Sequence, residues 1–464
     1  MLSMSAEPNA TPAPSVSIVR MAPGDQRLTF EFSAGGSAAG AALFANVRLL
    51  TSGEWDRYPC RGESATIAPL LNGADYEIRI TAETPDGTVL CRSADRLFRC
   101  GFVPGTVVAY LHPEDDTFIA SGNATCSPSI CAAPDGSLLV SHDIYRSKGG
   151  QNLTHVYRSE DGGQTWRFAS ALSPCFWGGL FVHRGKVYLL ATATEYGALL
   201  LYESSDCGMS WRGPVQLLEG GSSEEGGPHK APMPVIEHAG RLWSGVEFGS
   251  WRQRMHCPGA VSADVNADLM RPESWVCTGF LPYDPAQVSD VRGYPIGGTI
   301  EGNVLVAPDG GLVDLLRYQT ATCVPNYGKA YMTLLDAEHP DQPPRFARTV
   351  EFPGNLSKFY ILRSPSDGRY YALSNRVTTE TLNQRNVLTL SVSDDLIHWQ
   401  IKRDILNYAD NCFPEGEDKV GFQYPSFLFD GDDILAVSRT AVNGAENFHN
   451  ANFITFHRIR SYMR

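Results

Sequence analysis

Ser159-Glu-Asp-Gly-Gly-Gln-Thr-Trp166 and Ser204-Ser-Asp-Cys-Gly-Met-Ser-Trp211 carry one pattern, S-x-D-x-G-x-[T/S]-W, twice, with their first serines 45 residues apart. Each residue type in it has a physical task. Asp and Ser/Thr side chains bond the turn's own backbone, Gly permits positive φ, and Trp packs between sheets. An interval of 45 residues holds four short strands and their turns, so the pattern marks a repeated four-stranded sheet. A third copy, Val392-Ser-Asp-Asp-Leu-Ile-His-Trp399, keeps the Asp-to-Trp spacing and loses the glycine. A second repeat runs alongside. Six hairpin turns follow apolar strands, with glycines at Gly136, Gly185, Gly240, Gly310, Gly368 and Gly431, and each is followed by another strand such as Ser137-Leu-Leu-Val-Ser141 or Ile434-Leu-Ala-Val-Ser438.

Composition agrees with strands. The chain has 464 residues, 44 of them Gly and 30 Pro, with 19% charged, and short alternating runs such as Arg27-Leu-Thr-Phe-Glu-Phe32 recur where helical periodicity is rare. The 38 basic and 51 acidic residues give a net charge of −13 with no Lys/Arg-rich run, which argues against a nucleic-acid partner. No apolar run approaches the ~18 residues that span a membrane, so no membrane partner is expected. The N-terminal MLSMSAEPNATPAPS lacks the cationic start and apolar segment of a signal peptide. The 11 cysteines, an odd number without CxxC spacing, suit reduced thiols, and we expect a cytoplasmic protein.

The repeated pattern matches the Asp-box, and the chain resembles the sialidase-like β-propellers that carry it. The fold expected is all-β: a disordered N-terminus over residues 1–13, a β-sandwich over 14–103, and a propeller over 104–464 with six blades. A seventh blade hidden in the 255–300 stretch is the alternative, and residues 105–125 are available to close the ring. In the sandwich, strands are predicted at Val16–Val19, Leu28–Phe32, Ala45–Leu50, Ala65–Ile67 and Tyr76–Thr81. The stretch Leu70-Leu-Asn-Gly-Ala-Asp-Tyr76 followed by Glu-Ile-Arg-Ile-Thr-Ala82 resembles the late strands of fibronectin type III domains, which gives Tyr76 a structural role at the sandwich corner.

A propeller gathers the starts of its first strands and the ends of its second strands at one rim. Seven residues past the turn glycines stand Asp143, Glu247, Arg317 and Asn375, with Arg439 at eight; the second hairpin places Glu195-Tyr196 later. The strand starts hold Cys126-Ser127, Phe176-Trp177, His229-Lys230, Glu301 and Asn303, Lys358, and Gln423-Tyr424. Polar, cationic and aromatic residues recurring at one structural position suit a sugar-binding pocket. We therefore expect His142, Asp143, Tyr196, His229, Tyr424 and Arg439 as catalytic residues. Trp177, Lys230, Glu247, Glu301, Asn303, Arg317, Lys358 and His449 are expected to bind substrate. The run His112, Glu114-Asp115-Asp116 lacks an Asp-x-Asp-x-Asp-Gly pattern and reads as a solvated loop, so no metal or other cofactor is expected.

In sialidases an Arg-Ile-Pro motif opens the first blade, a Gly-x-Leu-Leu strand ending in an acid follows, and three arginines clamp the substrate carboxylate. Here Cys126 stands in place of that first arginine, Pro128 matches the proline, and Asp143 matches the acid. The stretches Ser141-His142-Asp143-Ile144-Tyr145, Gly421-Phe-Gln-Tyr424, Ser438-Arg439-Thr440, Asn447-Phe-His449-Asn450 and Thr455-Phe456-His457-Arg458 also resemble propellers that cleave uronate-containing polysaccharides, including ulvan lyases and enzymes acting on rhamnosyl-glucuronic acid linkages. Two chemistries can be staffed from this rim. A lyase needs a carboxylate neutraliser (Arg317, Arg439 or Lys230) and a base and acid drawn from His142, His229, Tyr196 and Tyr424. A hydrolase needs a carboxylate pair, or a Tyr nucleophile assisted by a carboxylate, from Asp143, Glu195, Glu247, Glu301 and Tyr424. The expected function is cleavage of an acidic, uronate-containing glycan, with β-elimination placed narrowly ahead of hydrolysis. A sialidase-like hydrolase and a non-catalytic carbohydrate-binding propeller are the alternatives.

Overall fold

In the computed structural model, which describes residues 12–410 and 413–464, strands make up six radial sheets and a two-sheet sandwich. The disorder expected at 1–13 falls chiefly on residues 1–11, outside the described residues. Blade 1 pairs Ala124–Ala132, Leu138–Tyr145, Thr154–Ser159 and Arg167–Leu172 in sequence order. Blade 2 follows with Phe176–His183, Lys186–Thr192, Leu199–Ser204 and Arg212–Leu218. Blade 3 has a divided inner strand, Gly227–His229 and Ile236–His238, then Arg241–Ser250, Met255–Asp264 and Trp275–Cys277. Blade 4 is Thr299–Val306, Leu312–Tyr318, Lys329–Leu335 and Arg345–Glu351, and blade 5 is Tyr360–Arg363, Tyr370–Asn375, Val387–Ser393 and Gln400–Asn407. Blade 6 is Gly421–Asp430, Asp433–Ala441 and Phe453–Ile459, and its outer strand is Thr106–Tyr110, so the first and last strands of the propeller meet in one sheet. The ring has six blades. The 255–300 stretch supplies the two outer strands of blade 3 and then a long connection.

The repeated turns are built as the sequence requires. Ser159 Oγ donates to Asp161 Oδ1 (2.8 Å), and Asp161 accepts the N–H of Thr165 (2.9 Å). The N–H of Gly163 donates to Ser159 Oγ (2.9 Å), and Gly163 has φ +92 with Phe456 filling the space a Cβ would need. Trp166 donates from Nε1 to the Gly163 carbonyl (3.2 Å) and is 1% exposed, packed on Phe456, Val140 and Leu435 between blades 1 and 6. The third copy closes one residue sooner. Asp395, not Asp394, bonds Ser393, and Leu396 takes the left-handed conformation (φ 67) where the other copies have glycine.

The sandwich packs a three-stranded sheet (Ser15–Gly24, Arg27–Gly35, Ser64–Ile67) against a five-stranded one (Asp56–Cys60, Ala42–Leu49, Asp75–Glu83, Val89–Arg92, Arg96–Arg99). Alternation in Arg27–Gly35 points Leu28, Phe30 and Phe32 inward. Tyr76 Oη accepts the N–H of Leu71 (2.8 Å) and its ring stacks on Phe98, so its role is structural. The sandwich core runs on into blades 5 and 6. Arg20 donates to the carbonyl of Val108 (2.8 Å) in the closing strand, and Arg96 pairs with Asp115 (2.5 Å) in the loop beyond it. Asp115 is therefore buried and paired, where a solvated loop was expected.

Trp166→Ala should open a cavity between blades 1 and 6 and destabilise the protein by ~3–5 kcal/mol. Chemical denaturation of purified wild type and variant measures this; a loss below ~1 kcal/mol would mean the repeated turn does not anchor its blade through the indole.

Candidate functional site

Four inner strands share one irregularity. Their register slips between Cys126 and Ser129, Phe176 and Gly179, Ile300 and Asn303, and Gln423 and Ser426. At each slip a residue with a side chain adopts left-handed backbone: Ser127 (φ 45), Trp177 (φ 55), Glu301 (φ 58) and Tyr424 (φ 54). Such bulges re-aim side chains, and left-handed non-glycine residues concentrate at functional sites. At three of the four, the side chain two positions further on binds the next blade. Ser426 Oγ accepts the N–H of Ile130 (3.3 Å), Ser129 Oγ that of Leu180 (2.9 Å), and Asn303 Oδ1 that of Ile361 (2.9 Å). Asn303, expected to bind substrate, is a tie between blades 4 and 5.

The cavity bounded by these strands measures about 450 Å³. Tyr424 lies at its heart. Its hydroxyl donates to Glu301 Oε1 (2.6 Å), and Arg317 Nη1 donates both to Glu301 Oε2 (2.9 Å) and to Tyr424 Oη (3.3 Å). Burial opposes ionisation of Glu301, but Arg317 and the Tyr424 hydroxyl outweigh it and hold the carboxylate below its ordinary pKa of 4.5. Burial, and then the Glu301 charge, raise the Tyr424 phenol. The phenol thus stays protonated, with an ionised carboxylate ready to take its proton. Gln319, with its amide oxygen toward Arg317, accepts from Nε (3.3 Å) and Nη2 (2.9 Å) and fixes the guanidinium plane.

Two more arginines flank the phenol. The guanidinium of Arg439 lies 5.5 Å, and that of Arg385 5.8 Å, from the Tyr424 ring centroid. Arg439 bonds the carbonyl of His449 and lies over Tyr145 (5.4 Å), while Arg385 donates to Gln423 Oε1 (2.7 Å). The Nε of each is buried without a partner among the described residues. His449 is neutral, because burial and the neighbouring Arg439 and Arg385 lower its pKa.

The opposite wall is aromatic and acidic. Trp177, Trp251 and His229 line it, with the His229 and Trp177 ring centroids 4.5 Å apart. His229 Nδ1 meets Glu247 Oε2 at 3.0 Å, and Glu247 Oε1 accepts the N–H of Gly302 (3.0 Å). Burial lowers His229 to about 4 and raises Glu247 to about 7. Glu195 also lines the cavity, half-buried, and burial raises its pKa. Cys126 completes the floor beside Arg439, its Sγ 3.1 Å from Ser127 Oγ. No three His, Cys, Asp or Glu side chains among the described residues come together to hold a metal ion.

Of the residues expected to act, Tyr424, Arg439, His229, Trp177, Arg317 and His449 line the cavity, and Glu301 and Glu247 support it from behind. Several others need correction. His142 faces the junction with the sandwich: it stacks on Tyr157 (5.6 Å) beside His155, 1% exposed, and burial lowers it to about 4. Alternation along its strand sends Asp143 the other way, but Asp143 accepts from Thr154 Oγ1 (2.6 Å) and from the N–H of Trp177 (2.8 Å), which clamps the blade 2 bulge. Tyr196 accepts the N–H of Trp251 (2.9 Å) and packs behind Trp177. Lys230 donates to the carbonyls of Trp177, Leu190 and Ala231, and Lys358 to that of Pro425. Both lysines are buried ties between blades, with pKa values lowered by burial to about 8 and about 7. Arg385, Gln319, Asn383, Tyr145 and Trp251 were not selected from sequence. Arg385 precedes the third strand of blade 5, and reading third-strand starts as well as second-strand ends would have found it.

No protein-family model matches the chain, and no curated protein sequence does. Its fold is shared with solved structures at low identity. The α-L-arabinanase of Penicillium chrysogenum bound to arabinobiose is 16% identical over 76% of this chain and 98% of its own, with TM-score 0.51. An α-L-arabinofuranosidase of Fusarium graminearum, bound to an iminosugar inhibitor, is 12% identical over 78% of this chain and 100% of its own (TM-score 0.51). The leech intramolecular trans-sialidase bound to 2,7-anhydro-Neu5Ac is 10% identical over 96% of this chain and 91% of its own (TM-score 0.51).

The Glu301–Arg317 pair makes stability depend on acid. A carboxylate whose folded pKa is depressed contributes stability that is present above its unfolded pKa and lost as pH falls through the folded value. Glu301→Gln should therefore melt below wild type at neutral pH, and the gap should close as pH drops below about 4.5. A gap in Tm that is constant from pH 7 to pH 3 would show that Glu301 is not held ionised by Arg317.

Proposed function

We propose that the protein is a glycoside hydrolase acting on a sugar that carries a carboxylate, with Tyr424 as nucleophile and Glu301 as its base. The observation that carries this reading is the 2.6 Å hydrogen bond from Tyr424 to Glu301 beneath Arg317. A phenol is a weak nucleophile at its free pKa and needs a base within hydrogen-bond reach. Glu301 meets that need in geometry and charge state. Three guanidinium groups, Arg317, Arg385 and Arg439, line the cavity, and a carboxylate accepts from such forks bidentately. Cys126 leaves no guanidinium at the start of blade 1, and Arg317, Arg385 and Arg439 from blades 4, 5 and 6 supply three to the cavity. The carbohydrate complexes of the propellers named above support a sugar as ligand.

Hydrolysis now stands ahead of β-elimination, because His142 is outside the cavity and the Tyr424 phenol is matched to a carboxylate. One observation keeps elimination as the second reading. His229 reaches the cavity with Nδ1 fixed by Glu247, the arrangement of a base that could take a C5 proton from a uronate.

A panel of sialosides and uronate-containing oligosaccharides tests the reading. Reducing sugar released without new absorbance near ~235 nm is expected, and Tyr424→Phe should lower kcat by roughly two to three orders of magnitude. Unsaturated product absorbing near ~235 nm would overturn hydrolysis in favour of elimination. Gel retardation without cleavage would make the propeller a binding module. Methyl esterification of the substrate should abolish most turnover, and preference for the ester would refute the carboxylate clamp.

A further inference from the structure

We propose that Glu195 is the proton donor to the departing glycosidic oxygen, a role that rests on the cavity cleaving a glycosidic bond. The four acids that the sequence brings to the rim divide sharply. Asp143 is committed to Thr154 and the backbone of Trp177, Glu247 to His229 and the backbone of Gly302, and Glu301 to Arg317 and Tyr424. The carboxyl of Glu195 alone among them makes no hydrogen bond or ion pair among the described residues, while Glu195 lines the cavity.

Its position is fixed by the backbone, not by its carboxyl. Thr194–Gly197 is the turn between the second and third strands of blade 2, closed by the N–H of Gly197 donating to the Thr194 carbonyl (2.9 Å). Tyr196 follows with φ 62 and is pinned at both ends. Its carbonyl accepts from the N–H of Gly221 (2.9 Å) and its hydroxyl from the N–H of Trp251 (2.9 Å). A carboxyl presented from a pinned turn, free of protein partners and facing the cavity, is placed to meet a ligand atom. Burial without a partner raises its pKa, which favours the protonated form that a donor needs.

The step balances. Tyr424 Oη bonds to the anomeric carbon and passes its proton to Glu301. The bond from that carbon to the glycosidic oxygen breaks with its electron pair on the oxygen, which takes the proton of Glu195. In the second half, water attacks the anomeric carbon and gives a proton to the Glu195 carboxylate. The bond to Tyr424 breaks with its electron pair on Oη, which recovers the proton from Glu301.

Leaving groups that need no protonation separate this role from others. Glu195→Ala and Glu195→Gln are to be assayed on 4-nitrophenyl and methyl glycosides of glucuronic acid and of N-acetylneuraminic acid. Both variants should lose at least about 100-fold in kcat/KM on the methyl glycoside that wild type cleaves, but less than about tenfold on its 4-nitrophenyl counterpart. Azide should restore Glu195→Ala turnover of the latter through a glycosyl azide of retained configuration, with the Tm within about 2 °C of wild type. Equal losses on both leaving groups, or none on either, would overturn the assignment of Glu195 while the hydrolase reading stands. Full activity of Tyr424→Phe, or no cleavage of any glycoside by wild type, would instead remove the reading beneath it, and the proton-donor role with it.

Discussion

The inner-strand bulge is the constraint on which the site depends. In an unbroken strand, side chains alternate between the two faces of a blade, and neither direction is the propeller axis. Left-handed backbone at a bulge breaks that alternation: Trp177 and Tyr424 reach the cavity, and Ser129, Asn303 and Ser426, two places beyond a bulge residue, reach the neighbouring blade. Glu301 and Tyr424 face one another this way, and Asn303 and Ser426 are freed to bind blades 5 and 1. A left-handed β-structure residue with a side chain costs on the order of 1–3 kcal/mol and persists only where its surroundings over-determine it. The surroundings here are the clamps from the preceding blade: Asp143 on the N–H of Trp177, Glu247 on that of Gly302, and Asn375 donating to the carbonyl of Phe422 (2.7 Å).

The same architecture sets the electrostatics. Three carboxyls around one cavity are driven apart in pKa by what each touches. Arg317 and Tyr424 draw Glu301 down, burial takes Glu247 up to about 7, and burial raises Glu195 with nothing opposing it. Environments that separate the pKa values of like groups divide acid from base roles on one scaffold. The chain as a whole carries −13, so its long-range field repels an anion. Salt screens that field beyond a Debye length of ~10 Å, whereas guanidinium groups inside a half-enclosed cavity act at contact.

The fold was legible because its signals are local. The paired Ser/Asp/Gly/Trp turns encode their own hydrogen bonds, and both intact copies form them as the side chains require. The site was legible only in part, for one physical reason. Polar residues recur seven places beyond the turn glycines whether they clamp the next blade's bulge or face the cavity. Asp143, Glu247 and Asn375 do the first, and Arg317 does the second. No periodicity separates the two uses, since both sit on the same face at the same height. Lys230 and Lys358 misled for a related reason. A lysine at a strand start can reach across to a neighbouring blade's carbonyls as readily as into solvent. Arg385 escaped because it stands just before a third strand, a position outside the first-strand starts and second-strand ends that were read for the rim.

The distribution of charge also orients a substrate. Arg317, Arg385 and Arg439 come from blades 4, 5 and 6, whereas Trp177, Trp251 and Glu195 come from blades 2 and 3. Cys126 is what makes this division complete, because an arginine at that point would carry positive charge into blade 1. On the proposed reading, a sugar carboxylate is drawn to the side of blades 4 to 6. The anomeric carbon then lies over Tyr424, and the departing group extends toward the aromatic wall. The residues lining that wall offer flat apolar surface for a sugar ring and the Glu195 carboxyl, whose pKa burial raises, and include no cation. An aglycone bearing its own negative charge finds nothing there to neutralise it. If the proposed reading holds, the division of the cavity favours substrates that are acidic on the glycone side of the scissile bond and neutral on the other.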